Sequence, residues 1–320
     1  MEDVLNILYI IVPTGLIAAT PLLLTALGGL FSERAGIINI GLEGIMIMGA
    51  FSGIMATLGF EKLGFGNASI WMSFLVAIIV GAIFSLIHAF ATISLRADQN
   101  VSGIALNFLA AGISIFIVKE LFGKGQTDYI TERLYRINVP LLSDIPVIGP
   151  LFFSKIYVTT YIALLVVVIV WFVLMKTTFG LRLRAVGEHP LAADTMGIKV
   201  IRMRYIGVML SGALGGLGGA IFAITNAGNF ASGTIVGQGF MALAVLVFGK
   251  WKPFGVMLAA MFFGLAQALS ITAQQIPAFS NIPQIYLLIL PYVLTIFALM
   301  GIVGKAEGPK AVGKPYFKSN

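Results

Sequence analysis

The sequence predicts an all-α, polytopic membrane protein of about nine transmembrane helices. Three observations carry that expectation. Of the 320 residues, 59% are hydrophobic and only 10% are charged, with a mean hydropathy of +1.01; soluble domains carry roughly 25% charged residues. The apolar residues gather into stretches near the roughly 20 residues that cross a bilayer core as helix. The charges fall between those stretches. The chain is expected to be a single transmembrane domain over 1–320, with a basic loop at 176–204 and a basic tail at 304–320.

Taken in order, spans are expected near 5–30, 37–58, 70–94, 101–122, 156–175, 205–225, 238–249, 254–273 and 284–303. The first follows acidic Glu2 and Asp3 rather than a basic leader, and it is too long for a signal peptide. Gly36, Gly41 and Gly44 weaken the start of the second. Asp98, Gln99, Asn100 and Ser102 open the fourth. Pro140, Pro146 and Pro150 discourage long helices between Gly123 and Lys155. That segment is either a lid or partner surface, or an ordinary connection. The seventh span is too short to cross alone, so it is a half-helix or draws on its flanks.

Lysine and arginine set the orientation. Arg34, Arg96, the group Lys176, Arg182, Arg184, Lys199, Arg202 and Arg204, the pair Lys250 and Lys252, and the lysines of the tail all fall on one side if nine segments cross. Bases on the other side are nearly matched by acids. The N-terminus is therefore expected outside and the C-terminus in the cytoplasm. The net charge of +7 follows from this topology and does not call for nucleic acid.

Small residues mark where helices touch. Gly207, Ser211, Gly215 and Gly219 recur every four residues, with Gly212, Gly216 and Ala220 alongside, and Gly49 and Gly53 form a further pair. Such stripes let backbones approach closely. Packing within the chain is favoured over a dimer seam.

Glu43 is the outstanding polar residue at membrane depth. An ionised group near a helix centre costs about 2.5–3.5 kcal/mol on insertion scales, so Glu43 needs a cavity or a partner. Asn39 precedes it by four residues and would share its helix face. A broken helix here would expose backbone groups to a passing polar solute. Asn107, inside the fourth span, is a further candidate for the same passage. The rival reading pairs Glu43 with Arg34 or Arg96 as a structural tie. His88 is expected to be a packed or hydrogen-bonded histidine. Cysteine is absent, and no phosphate loop, zinc-protease or hydrolase motif is found. No metal or cofactor is expected in this chain, and no catalytic site.

The loop 176–204 holds a short helix of its own. Pro190 suits a first helical turn, Ala192, Ala193 and Met196 are good helix formers, and Gly197 supplies a stop. A capped helix offered at the membrane surface has the form of a docking element for a soluble partner.

The segments SERAGIINIGLEGIMIMGAF (32–51), ADQNVSGIALNFLA (97–110) and FGLRLRAVGEHPLAADTMGI (179–198) resemble the permease subunits of ABC importers for branched-chain amino acids, simple sugars and nucleosides, over nearly the whole chain. The first two are most similar to the nucleoside branch. The resemblance implies a type II ABC importer-like fold and a second, usually different, permease subunit. It also implies a cytoplasmic ATPase that consumes ATP and Mg, and an external substrate-binding lipoprotein. It implies that Gly187, Glu188, His189, Pro190, Ala192, Ala193 and Gly197 form the coupling helix that fits a groove on the ATPase. The alternatives are a simple-sugar permease or an ion-coupled secondary transporter. For the latter, Glu43 is the one candidate buried acid.

Overall fold

The computed structural model describes residues 2–272, 286, 289, 293 and 307–318. The chain is helical, with one two-stranded sheet among the described residues. Helix α1 runs Glu2–Arg34, α2 Leu42–Lys62, and α3 Ala68–Ala89 with a π turn at Phe90–Ser94. Helix α4 covers Gln99–Phe122. The Asp98 side chain caps it, accepting from the amides of Asn100 and Val101. In the proline-bearing connection, strand β1 (Arg136–Ile137), the short helix α5 (Ile148–Phe152) and strand β2 (Ile156–Tyr157) follow, with Arg136 opposite Tyr157 in an antiparallel pair. Then come α6 (Val158–Lys176), α7 (Thr178–Glu188), α8 (Pro190–Thr195), α9 (Val200–Phe222, with a π turn at Ala223–Ala227), α10 (Gln238–Phe248) and α11 (Pro253–Thr272).

Seven of the described helices are long and apolar enough to cross a membrane. Helix α10, with 11 residues, spans only about 16 Å at 1.5 Å per residue, half a bilayer core. The non-helical stretch 228–237 extends the path of α10 toward the opposite end of the bundle. That stretch begins against the connection at the far end, where Thr127 and Phe230 exchange hydrogen bonds and Ile130 N donates to the Gly228 carbonyl at 2.9 Å. Helix α10 then carries the chain to the end that holds Arg34, where the Arg34 guanidinium donates to the Trp251 carbonyl at 2.6 Å. Lys250 and Lys252 therefore lie at the Arg34 end. The expected ninth span, 284–303, lies outside the described residues.

Helix α9 is the axis of the bundle, and its small residues explain why. A Cβ at Gly216 would collide with the Ala77 carbonyl of α3, and one at Gly49 with the Gly216 backbone. Gly219 lies on the Met46 carbonyl of α2, and Gly218 on Thr25 of α1. The stripe thus packs α9 against three neighbours within one chain.

Three points differ from expectation, the first being that the sixth span begins at Val200, not near 205, so that Arg202 and Arg204 belong to α9. The second span begins at Leu42, not near 37, because Ala35–Gly41 is not helical. The basic loop holds two helices, α7 and α8, rather than one.

Gly216→Leu is expected to lower the thermal midpoint of the detergent-solubilised protein, by the equivalent of about 3 kcal/mol or more, since backbone stands where the side chain would go. Gly112, which has open space around its Cβ position, should tolerate the same change. Equal effects at the two positions would contradict the packing described.

Candidate functional site

The interior of the bundle contains a break in the helical backbone. Helix α1 ends at Arg34, Gly36 takes a φ of +89° that suits glycine, and the chain is irregular to Gly41. At this depth each free backbone group needs a partner from protein. Other elements supply them. Ser32 Oγ donates to the Ile37 carbonyl at 2.8 Å. Gln99 Oε1, on α4, accepts from Ile38 N at 2.7 Å. His88, on α3, lies with Nε2 2.9 Å from the Ile38 carbonyl and Nδ1 3.0 Å from Ser102 Oγ. A carbonyl only accepts, so Nε2 carries a proton and donates to Ile38. Asn107 closes the break from both sides: its Nδ2 donates to the Ile40 carbonyl at 3.1 Å and its Oδ1 accepts from Gly44 N at 2.7 Å.

Glu43 sits in the first turn of α2 and is buried. Its two oxygens accept from Gly237 N at 2.6 Å and Gly239 N at 2.5 Å, at the start of α10. A helix N-terminus presents unpaired amides and partial positive charge, and a carboxylate there answers both. Gly237 has φ +78°. A Cβ on Gly239 would collide with the backbone of Glu43. These two glycines let the loop and the helix close on the acid.

The structure brings Asn39, Glu43 and Asn107 to one region, but not as one helix face. Asn39 precedes α2, in the irregular stretch; its amide donates to Ser211 Oγ at 3.0 Å and its Oδ1 is buried without a partner. The shared-face expectation fails because Asn39 lies within the irregular stretch and Glu43 within α2. The arginine pairing fails too. Arg34 is held by the Trp251 carbonyl, and the Arg96 guanidinium lies 4.5 Å from the Phe317 ring centroid. Sequence pattern alone presents Gln99 as part of a helix start and Ser211 as a small packing residue. Both are polar residues in or beside apolar spans, which is the signal that could have found them.

The second candidate lies at the Arg34 end. Thr177 caps α7, accepting from Gly180 N. His189, at φ −143° and ψ 82°, turns the chain, and Pro190 takes the first position of α8. Gly197, at φ +78°, ends it: Gly197 N donates to the Asp194 carbonyl at 2.8 Å and Ile198 N to Ala193 at 3.0 Å. Ala193 faces inward, whereas Leu191, Ala192 and Met196 are exposed, Met196 at 81%. Gly187 and Glu188 belong to α7 and not to the short helix. Gly187 is buried beneath the Arg34 carbonyl, where a Cβ would collide. Arg204, counted with the loop charges, is buried instead and donates to the Lys314 carbonyl at 3.2 Å.

Glu43→Leu would leave two interior amides unpaired, at about 1–3 kcal/mol each, and should lower both thermal midpoint and transport. Glu43→Gln keeps one acceptor oxygen and turns an NH2 toward the other amide, so its loss should be intermediate. Thermal unfolding of both variants in detergent checks the order. An unchanged midpoint for Glu43→Leu would contradict the role of this contact.

A family described as the branched-chain amino acid transport system permease component matches residues 11–299. The guanosine ABC transporter permease protein NupQ of Bacillus subtilis (strain 168) is 57% identical, covering 99% of each chain. The nucleoside ABC transporter permease protein NupC of Lactococcus lactis subsp. cremoris (strain MG1363) is 49% identical, also covering 99% of each. A second guanosine permease protein of the same Bacillus, NupP, is 27% identical over 90% of this chain and 82% of its own. A solved metal-chelate type ABC transporter in an inward-facing conformation superposes with a TM-score of 0.50 at 16% identity, covering 91% of this chain and 84% of that one, a likeness of fold. With the helical bundle, these matches show that the chain belongs to the branched-chain amino acid transport system permease family of ABC importers, as a multi-pass membrane protein.

Proposed function

We propose that this chain is the translocating permease subunit of an ATP-driven importer and that its solute is a nucleoside. The observation that carries the solute class is the likeness to two nucleoside permeases along 99% of each chain. The chain performs no covalent chemistry in this reading. A separate cytoplasmic ATPase binds ATP and Mg, and its closure moves the permease between outward and inward openings. An external substrate-binding lipoprotein delivers the solute.

The second permease of the complex is a different homologue. Bacillus subtilis carries both NupQ and NupP, and this chain is 57% identical to one and 27% to the other. Two diverged guanosine permease proteins in one organism fit a complex of two unlike permease subunits.

Helix α8 is the docking element, with His189, Pro190, Ala192, Ala193 and Gly197 forming or bounding it. Gly187 and Glu188 fix the preceding helix to the bundle. Asn39, Glu43 and Asn107 serve the passage by shaping the broken stretch of its wall. The unpartnered Oδ1 of Asn39 is the atom left to bond a solute hydroxyl or base N–H once the passage opens. Weak, exchangeable bonds of that kind allow release.

In membrane vesicles holding all four kinds of subunit, uptake of labelled guanosine should require ATP, survive a proton uncoupler, and be competed by other nucleosides but not by glucose. Competition by glucose alone would favour the simple-sugar reading, and collapse with the uncoupler the ion-coupled one.

The N-terminus lies outside and the Arg34 end in the cytoplasm. The support is the gathering of Arg34, Arg182, Arg184, Lys250, Lys252, Lys310 and Lys314 at one end of the bundle. Because the chain has no cysteine, Asp3→Cys and Lys314→Cys give a clean test. An impermeant thiol reagent added to intact cells should label the first alone, and labelling of the second alone would reverse the orientation.

A further inference from the structure

The tail segment 307–318 is not a loose end. Ala311 N donates to the Gly187 carbonyl at 2.9 Å, and Lys310 N reaches the Glu188 carboxylate at 3.4 Å. Arg204 holds the Lys314 carbonyl and lies 5.9 Å from the Tyr316 ring. Ala311 and Tyr316 are buried, and Gly308 rests on the Trp251 indole. The tail therefore runs as a strap across the ends of α7 and α9 and the turn between α10 and α11.

Between this strap and α8 lies a groove of about 390 Å³. His189, Pro190 and Leu191 form one wall, and Pro315, Tyr316 and Phe317 the other. Lys310 and Lys314 stand exposed at its rim. Glu188 lies in the groove with its carboxylate facing the tail's own amide, and Asp194 of α8 stands beside the Tyr316 wall. The groove is thus mainly apolar inside and basic at its edge.

We propose that the strap and α8 together form the docking site for the ATPase, and that the groove receives an apolar side chain carried on an acidic segment of that subunit. This rests on the reading of α8 as the docking element. Two observations favour the ATPase as occupant. Leu191 lines the groove and also belongs to the exposed surface of α8, being 54% exposed, so whatever covers α8 extends over the groove. The lysine rim selects against a basic partner and steers an acidic one. The strap also reaches the broken stretch: the Ala311 carbonyl approaches Gly36, and Gly313 packs against Ile38. A partner seated in the groove thereby presses on the backbone at the break as well as on α8.

The test uses the assembled complex of both permeases and the ATPase. A benzophenone is attached through a single introduced cysteine at Lys314→Cys, beside the groove, or at Met196→Cys, on α8 but outside the groove. Photo-adducts to the ATPase from both sites are expected. An adduct from Met196→Cys alone would overturn the groove proposal and leave α8 docking standing. Adducts from neither would overturn the docking reading and the proposal with it. An adduct from Lys314→Cys to a second permease chain would also overturn it. As a second arm, Lys310→Glu with Lys314→Glu should weaken retention of the ATPase about tenfold, the scale of close interfacial charge pairs, while Lys310→Arg with Lys314→Arg retains it. Unchanged retention in the charge-reversed complex would count against the groove.

Discussion

The carboxylate of Glu43 is the interaction on which the rest of the interior depends. It sits at the meeting of two helix starts that both lie inside the bundle. Helix α2 begins at Leu42 because the chain before it is irregular, and α10 begins at Gln238 because 228–237 descends without helix. Each start exposes unpaired amides and partial positive charge. In water such ends would be solvated, but in lipid they need an internal anion or acceptor. Glu43 belongs to the first turn of α2 and reaches the first amides of α10. One acid therefore serves two helix ends, which explains how a charged residue is tolerated at this depth without an arginine.

The irregular stretch Ala35–Gly41 makes a second demand. Its partners come from α1, α3 and α4 in the form of Ser32, His88, Gln99 and Asn107. These contacts fix where α3 and α4 sit relative to α2. The glycine-rich α9 fills the centre with backbone and little side chain, so the polar residues of its neighbours can converge. A larger α9 would hold α2 and α3 too far apart for His88 to reach Ile38.

Much of this was legible in the sequence. The boundaries of most spans followed from apolar length, because lipid enforces a helical rise of fixed size. The capped helix at Pro190 followed from Pro at its start and Gly197 at its end, both local signals. The glycine stripe named the packing face of α9, although nothing in its spacing said which helix each glycine would meet. The break at Ala35–Gly41 was foreshadowed by Gly36 and Gly41, but its extent was not, since Ile37, Ile38 and Ile40 are as apolar as a helix interior. The partner of Glu43 was hidden for a plainer reason. Backbone amides of Gly237 and Gly239 carry no side-chain signature, and they lie almost two hundred residues away along the chain, so a search for a basic side chain could only return Arg34 or Arg96.

The two candidate regions are joined by contacts that leave little room for slack. Gly187, at the end of α7, lies directly on the carbonyl of Arg34, the last residue of α1. No side chain stands between them to absorb a displacement. Arg34 is in turn held by the Trp251 carbonyl, and the Trp251 indole donates to the Glu33 carboxylate at 2.5 Å. The last turn of α1 is thus pinned from the side of α10 and α11 and touched by bare backbone from the side of α7. Movement of α7 and α8 as a unit must either break the pinned contacts or be taken up at the next soft point. That point is Gly36, two residues on, where the backbone is already non-helical and glycine permits large changes of φ. From Gly36 the irregular stretch leads to Asn39, and then to the helix start that carries Glu43. A displacement of α7 and α8 therefore has a short route to the polar centre of the bundle, with the deformable residues placed between α8 and the buried acid.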